Sequence, residues 1–448
     1  MTIRFDEAMR GYLDVVRSAQ AAELAPARVG QVVVVRDLRG RLRLVIEKRP
    51  SDQQAARAVL QERLVTAAGS FFGGEPLWGD EMLAPDAIFK ALDLCKVGGV
   101  SVLERTVLGA DWTRPPLANQ APCPPRGALY GIKGGVGRSL ALSVWARHLA
   151  ERGKRVLVVD LDLESPGVST SLLPAGACAS FGVVDWLAED AVGQADKELV
   201  RLMAAPSPLA SGTSGSILVA PCGAEPTGDR ASDPDYLAKL ARAYIDLPSQ
   251  HGPIETFADR LARMLDALEE AHEPDVVLLD SRAGLHDVAA ITLTRLADLS
   301  FLFAVGTPQT WAGYRTLFRQ WQRQPKVAKR VRDRLRMVAA QVPETERSAY
   351  LARFQEDAYS LFADTLYEEA GPETPDAFNF DIGSTDAPHH QLPIYWSRAL
   401  QDWNPLDNTV THNQLQAALG DFVREATDLL VNPDDEIGRV SGIEGHPQ

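Results

Sequence analysis

From Ala128 onward the chain is built of short apolar runs, ALYGI, RVLVVDLD, SILVAP, DVVLLD, LSFLFAV, RMVAAQV and LPIYW. They are separated by stretches whose apolar residues recur at helical spacing. Strands that are apolar on both faces and alternate with helices predict a mostly parallel sheet covered on both sides, a doubly wound α/β domain. Between SILVAP and DVVLLD, the residues Ile254, Phe257, Leu261, Leu265 and Leu268 mark one such helix and read as its core face. Trp145 and Leu149, on the helix after the first run, read as packing residues. His148 beside them reads as a satisfied side chain rather than a ligand.

The pattern upstream is different. GQVVVVRD and RLRLVIEK predict two strands joined by a turn around Arg39 and Gly40, followed by a helix from about Ser51 to Ala67. A second helix near Pro85 to Leu94 and the run GVSVLERTVL complete a small α+β unit. It holds no cluster with nucleophile, metal or phosphate chemistry, so it is expected to bind or regulate. The Pro-rich stretch from Asp111 to Gly127 has the composition of a linker. The expected division is an N-terminal domain over 1–122, an α/β domain over 123–432 and a solvated tail over 433–448.

Composition narrows the function. Across 448 residues, 46 Lys and Arg against 60 Asp and Glu leave a formal charge of −14, which argues against a protein that coats nucleic acid over its whole surface. No apolar run approaches the roughly 18 to 20 residues that span a bilayer, and the acidic start lacks the features of a secretory signal, so the cytoplasm is the expected location. Cys95, Cys123, Cys178 and Cys222 are too scattered for a zinc site or a disulfide framework and are expected to be buried thiols.

The chemistry starts where ALYGI runs into Lys133-Gly134-Gly135-Val136-Gly137-Arg138-Ser139 and the helical stretch beginning at Leu140. A strand, a glycine-rich turn and a helix N-terminus together make an anion site, because glycines let successive N–H groups point inward and the helix dipole adds positive potential. The run ends as the P-loop pattern GxxxxGK[ST] ends, with Arg138 in place of the lysine. Arginine keeps the charge and can grip phosphate oxygens with two N–H groups. Asp160 and Asp162 follow the next strand, and Asp280 ends a later one. Carboxylates at the carboxyl ends of parallel strands face the crevice where magnesium and water must be held.

KGGVGRS, VLVVDLDLESPG and DSRAGL resemble the deviant Walker A, the following aspartate segment and the Walker B/switch II segment of the ParA/MinD class of P-loop ATPases. The form is that of a bacterial subgroup with KGGxGR[ST], and the likeness covers residues 128–342. It implies a doubly wound parallel sheet that binds ATP with magnesium, and two protomers that close face to face on nucleotide. By resemblance, Lys133 reaches the partner protomer's nucleotide. The segment Gly134, Gly135, Val136, Gly137, Arg138, Ser139 and Leu140 cradles phosphate. Ser139 holds magnesium, Asp160 supports the metal shell, Asp162 orients the attacking water, Asp280 holds a magnesium-bound water, and the Gly284 N–H meets the γ-phosphate. The adenine pocket falls near Gln341, Val342 and Pro343. Arg282 is a secondary candidate for the γ-phosphate, with pairing to Asp287 or another acid as the competing role.

The basic stretch from Arg315 to Arg336 carries Trp321. Relatives of this class use a basic surface to bind DNA nonspecifically, but the reading preferred for this stretch is a solvated helix face whose stems the tryptophan covers. His389 and His390 are expected in a surface loop. The functional expectation is a slow ATPase that acts as an ATP-dependent dimerisation switch, with the N-terminal domain engaging a protein partner. The alternative is a scaffold that reads ATP without hydrolysing it. An amide ligase on the same fold is disfavoured because no added substrate domain is present.

Overall fold

Val32–Arg36 (β1) and Leu42–Ile46 (β2) form the hairpin that the two runs around Arg39 and Gly40 predict, with Val34 opposite Leu44. The computed structural model describes residues 2–22, 24–49, 54–91, 93–114, 123–224, 235–248, 254–369, 377–407 and 409–431. It divides into two units, Met1–Pro115 with Arg319–Ala328, and Pro116–Phe318 with Lys329–Gln448.

In the first unit Leu77–Trp78 (β3), Cys95–Val97 (β4) and Val100–Glu104 (β5) extend the hairpin into a sheet of order β3-β2-β1-β5-β4. Alternate strand residues point to opposite faces. Val32, Val34, Leu44, Ile46, Val100 and Val102 pack with the helices Phe5–Gln20 and Gln54–Ala68, while Val33, Val45 and Leu103 pack with Phe89. Phe5–Gln20 was not anticipated from the strand-led reading, although Ala8, Tyr12, Leu13, Val16 and Ala19 recur on its buried face. The helix expected near Pro85 to Leu94 is a single turn, Asp86–Phe89. The first residues of the expected linker are packed instead, since Asp111 and Trp112 are buried. Trp321 is fully buried and packs at a tilt against Trp112 at 5.9 Å between centroids, so it is a core residue of this unit and not a cover for exposed stems.

The second unit is an eight-stranded sheet of order β13-β12-β11-β6-β10-β7-β9-β8. Its strands are Arg126–Gly131 (β6), Arg155–Asp160 (β7), Ala205–Pro206 (β8), Ser216–Ala220 (β9), Val276–Asp280 (β10), Leu299–Ala304 (β11), Leu335–Val342 (β12) and Gln391–Tyr395 (β13). All neighbours are parallel except β8 with β9. Every apolar run picked out downstream of Ala128 is one of these strands. The short edge strand β8 has too few residues to show alternation.

Both faces are covered. Val156, Val158, Val276 and Leu278 pack on the side of the helices Arg138–Glu151 and His412–Val431, and Leu157, Val159, Val277 and Leu279 on the side of Phe257–His272. Ile254 departs from its expected place. The helix begins at Phe257 behind the Thr256 cap, which leaves Ile254 outside it and exposed. His389 is likewise not on a surface loop. It is fully buried among Tyr359, Phe362 and Tyr367, with its Nδ1 against the Tyr367 hydroxyl. Cys222 is buried, whereas Cys95, Cys123 and Cys178 are half-buried. The tail after Asn432 lies outside the described residues. No helix among the described residues is long and apolar enough to cross a membrane.

The topology positions the site. Chain crossovers leave β6 in both directions, to β7 on one side and from β10 to β11 on the other, which opens a crevice at the carboxyl ends of β6, β7 and β10. Behind that crevice Trp145 is fully buried, edge-on to Phe301 at 5.2 Å and to Phe422 at 6.0 Å, and its Nε1 donates to Thr427 Oγ1 at 3.0 Å. Trp145→Ala removes that packing and leaves a cavity. It should cost about 3–5 kcal/mol, read as an earlier urea transition of the second unit in tryptophan and circular-dichroism signals.

Candidate functional site

β6 ends at Gly131 and the helix Arg138–Glu151 begins seven residues later, so the connecting turn must curl tightly. Gly135 at φ +74° and Gly137 at φ +84° supply the left-handed backbone this requires. A Cβ at Gly134, Gly135 or Gly137 would meet nothing within 4 Å, so the mouth of the turn is open space bounded by backbone. The amides of Arg138, Ser139 and Leu140 precede the first helical hydrogen bond, Ala141 N to Gly137 O at 3.0 Å. Their N–H groups are the ones a helix leaves for an anion.

The carboxylates converge on this cradle through strand register. Asp160 and Asp280 end adjacent parallel strands as direct register partners. Ser139 Oγ donates to Asp280 Oδ2 at 2.8 Å, while the buried Asp280 Oδ1 has no hydrogen-bond partner. Burial, with the Asp160 charge beside it, raises the Asp280 carboxyl well above the usual carboxylate range, and Arg138 and the Ser139 hydroxyl oppose the rise. Asp162 is also raised by burial against the pull of Arg138, and its buried Oδ1 too lacks a hydrogen bond. Arg138 is only 8% exposed; its Nη1 donates to the Ser281 carbonyl at 2.6 Å and its Nη2 stands 4.0 Å from Asp162 Oδ2.

Asp160 is fully engaged by donors of its own loop. Its Oδ2 accepts from Gly167 N and Ser169 N, both at 3.2 Å, and from Ser169 Oγ at 2.8 Å, while its Oδ1 accepts from Asp162 N at 3.2 Å. These four donors make it the organiser of the loop that carries Asp162.

Other predicted residues have partners within the chain. The Gly284 N–H donates to the Gly131 carbonyl at 3.0 Å, so in this conformation it is not free for a phosphate. Lys133 Nζ donates to Gln309 Oε1 of its own chain rather than reaching outward. Arg282 pairs with an acid, as its competing role expects, and that acid is Glu164. Gln341, exposed and at φ +56°, donates from Nε2 to the Gly135 carbonyl at 2.9 Å, which brings the end of β12 to the cradle. Val342 is buried, and Pro343 is half-buried beside it.

The residues present fit a magnesium–nucleoside triphosphate. No group of three or more His, Cys, Asp or Glu side chains that could hold a metal exists among the described residues. A hydroxyl and one orphaned carboxylate oxygen beside an amide cradle suit a cation that takes most of its ligands from phosphate and water. A divalent cation there would also restore the charge that burial disfavours on Asp280. Ser169, Ser281, Gln309 and Glu164 escaped the sequence reading; of these, Glu164 and Ser281 stand in motif segments. Asp160→Ala would leave the Gly167 and Ser169 amides without an acceptor, at about 1–3 kcal/mol for each buried donor. Hydrogen exchange across residues 162–169 should then accelerate more than tenfold while the β10 amides stay protected.

No family model matches the chain, and no curated protein matches it. Among solved structures it is similar to a ParA family ATPase from Chlorobium tepidum, at 14% identity, over 67% of this chain and 98% of that one, with a TM-score of 0.42. It is also similar to pNOB8 ParA bound to nonspecific DNA, at 15% identity, 69% and 99% coverage and a TM-score of 0.40. A third is the MinD cell division protein of Aquifex aeolicus, at 14% identity, 68% and 96% coverage and a TM-score of 0.39. Over about two thirds of its length the chain is thus similar to ATPases of the ParA and MinD kind.

Proposed function

We propose that the second unit binds ATP with magnesium and hydrolyses it slowly. The ATP-bound form pairs face to face with a second copy, and the first unit couples that state to a protein partner. The observation that carries this reading is Ser139 Oγ held on Asp280 at 2.8 Å, at the foot of a glycine cradle that opens onto helix amides. Phosphoryl transfer to water needs positioning and charge neutralisation more than a strong base, and these groups supply both.

The amides of Gly134 to Leu140 and the Arg138 guanidinium bind phosphate oxygens. Ser139 and Asp280 hold magnesium, which when bound neutralises charge on the transferred phosphate. Asp162 orients the water, and Asp160 fixes the Asp162 loop. Gln341 and Pro343 border the base. Gly284 must give up the Gly131 carbonyl before its N–H meets a γ-phosphate, and Lys133 must leave Gln309 before it serves a second copy. Each is a weak local bond that a polyanion can displace. The commitment of Arg138 Nη1 to the Ser281 carbonyl favours, as the second reading, a chain that binds ATP without hydrolysing it. The basic stretch 315–336 is not assigned to DNA, since Arg315 pairs with Asp364 and Arg332 with Glu368.

Asp162→Ala should bind ATP with near wild-type affinity in calorimetry while phosphate release falls at least about a hundredfold, because a water-orienting carboxylate acts in the transition state. Wild-type protein that binds ATP but releases no phosphate in a single-turnover assay establishes the second reading. Lys133→Ala should bind ATP as a monomer and fail to dimerise on a slowly hydrolysed analogue in light scattering. A variant that dimerises like the wild type defeats the switch.

A further inference from the structure

Glu164 stands two residues beyond Asp162 on the loop after β7, and Arg282 two residues beyond Asp280 on the segment after β10. The strands are adjacent and Asp160 faces Asp280 in register, so both side chains reach the crevice that holds the cradle. They are paired with one another there. Resting on the ATP reading above, we propose that Arg282 is a further phosphate-binding cation of this site, and that Glu164 is the positioning residue that holds it while no triphosphate is bound.

The Glu164 carboxylate gathers three partners: the Arg282 guanidinium, the Tyr244 hydroxyl, and His286, whose Nε2 lies 3.3 Å from Oε1. Val288 N donates to His286 Nδ1 at 3.3 Å, which places the ring proton on Nε2, facing Glu164. Burial lowers the His286 pKa, so the ring is a neutral donor at pH 7. Of the three partners, therefore, only Arg282 is a cation. When Arg282 leaves, Tyr244 and His286 still donate to the carboxylate, and no bare buried charge remains. Among the described residues Glu164 is the one ion-pair partner of Arg282, and Arg282 acts together with Arg138 to lower the Asp162 pKa against burial. The guanidinium thus already lies within electrostatic reach of the carboxylate assigned to the water.

A terminal phosphate outbids one carboxylate for such a group, because it carries more charge and offers several oxygens to a planar fork of N–H donors. Occupancy by a triphosphate would move Arg282 off Glu164 and free the Asp162 loop from the segment after β10. A diphosphate lacks the γ-phosphate that would compete for the guanidinium. Neutralising Glu164 should therefore strengthen triphosphate binding, the opposite of what loss of a structural clamp produces.

The test is calorimetry on the full chain with magnesium and either a slowly hydrolysed ATP analogue or ADP. Hydrogen exchange over residues 162–167 and 281–286 gives a second readout. Arg282→Ala should weaken analogue binding at least about tenfold, leave ADP binding unchanged and abolish analogue-dependent exchange changes in 281–286. Arg282→Lys should retain part of the affinity. Glu164→Gln keeps the Tyr244 contact and should tighten analogue binding several-fold without affecting ADP, and the double variant should behave as Arg282→Ala. Equal weakening of analogue and ADP by Glu164→Gln, with a lower melting temperature, makes Glu164 a structural clamp and overturns the proposal. So does an Arg282→Ala variant with wild-type analogue affinity. Wild-type protein that binds neither ligand overturns the ATP reading itself, a separate result.

Discussion

Two adjacent parallel strands end on Asp160 and Asp280 in direct register, and a third carboxylate, Asp162, stands two residues further on. Bringing three acids together in a buried crevice is electrostatically costly, and much of the surrounding architecture offsets that cost. Each acid is answered by a different kind of group. Asp160 takes three amides and a hydroxyl, Asp280 takes the Ser139 hydroxyl, and Asp162 takes the nearby charge of Arg138. What stays unanswered is one buried oxygen each on Asp162 and Asp280.

The same constraint gives Arg138 its place. A P-loop lysine would project a single point charge toward phosphate, whereas this guanidinium spans from the cradle to the Ser281 carbonyl and the Asp162 carboxylate. It therefore ties the helix start to the segment after β10 and to the loop after β7. The Gly284 N–H on the Gly131 carbonyl and the Tyr130 hydroxyl on the Gly284 carbonyl add a second tie between β6 and the segment after β10. Glu164 with Arg282 adds a third, so the three strand ends that form the crevice are tied to one another.

The rigidity behind these loops comes from the core. Trp145 stands about two turns into the helix that opens at the cradle, and it is locked between β11 and the helix His412–Val431. Because side chains pack on both faces of β7 and β10, neither strand can rotate or slip without moving residues into the opposite layer. The carboxylates at their ends are held in turn.

Much of this was legible in the linear chain. Apolar runs bounded by turns located every strand of the large sheet except β8, because a buried parallel strand needs a continuous hydrophobic stretch and the helices between need a different period. The glycine turn, Ser139, Asp160, Asp162 and Asp280 were legible for the same reason, since each sits at a fixed distance from the end of such a run. Partner choice was not. That Asp160 takes its donors from the loop after β7, that Lys133 rests on Gln309, that Gly284 is spent on Gly131 and that Arg282 pairs with Glu164 are contacts between segments up to 176 residues apart. Trp321 and His389 were misread on the same ground, because their neighbours decide whether a large polar-edged ring is exposed or enclosed. Periodicity determined which residues face a core and which end a strand. Only the folded sheet, by setting register and bringing strand ends together, decided which charge meets which.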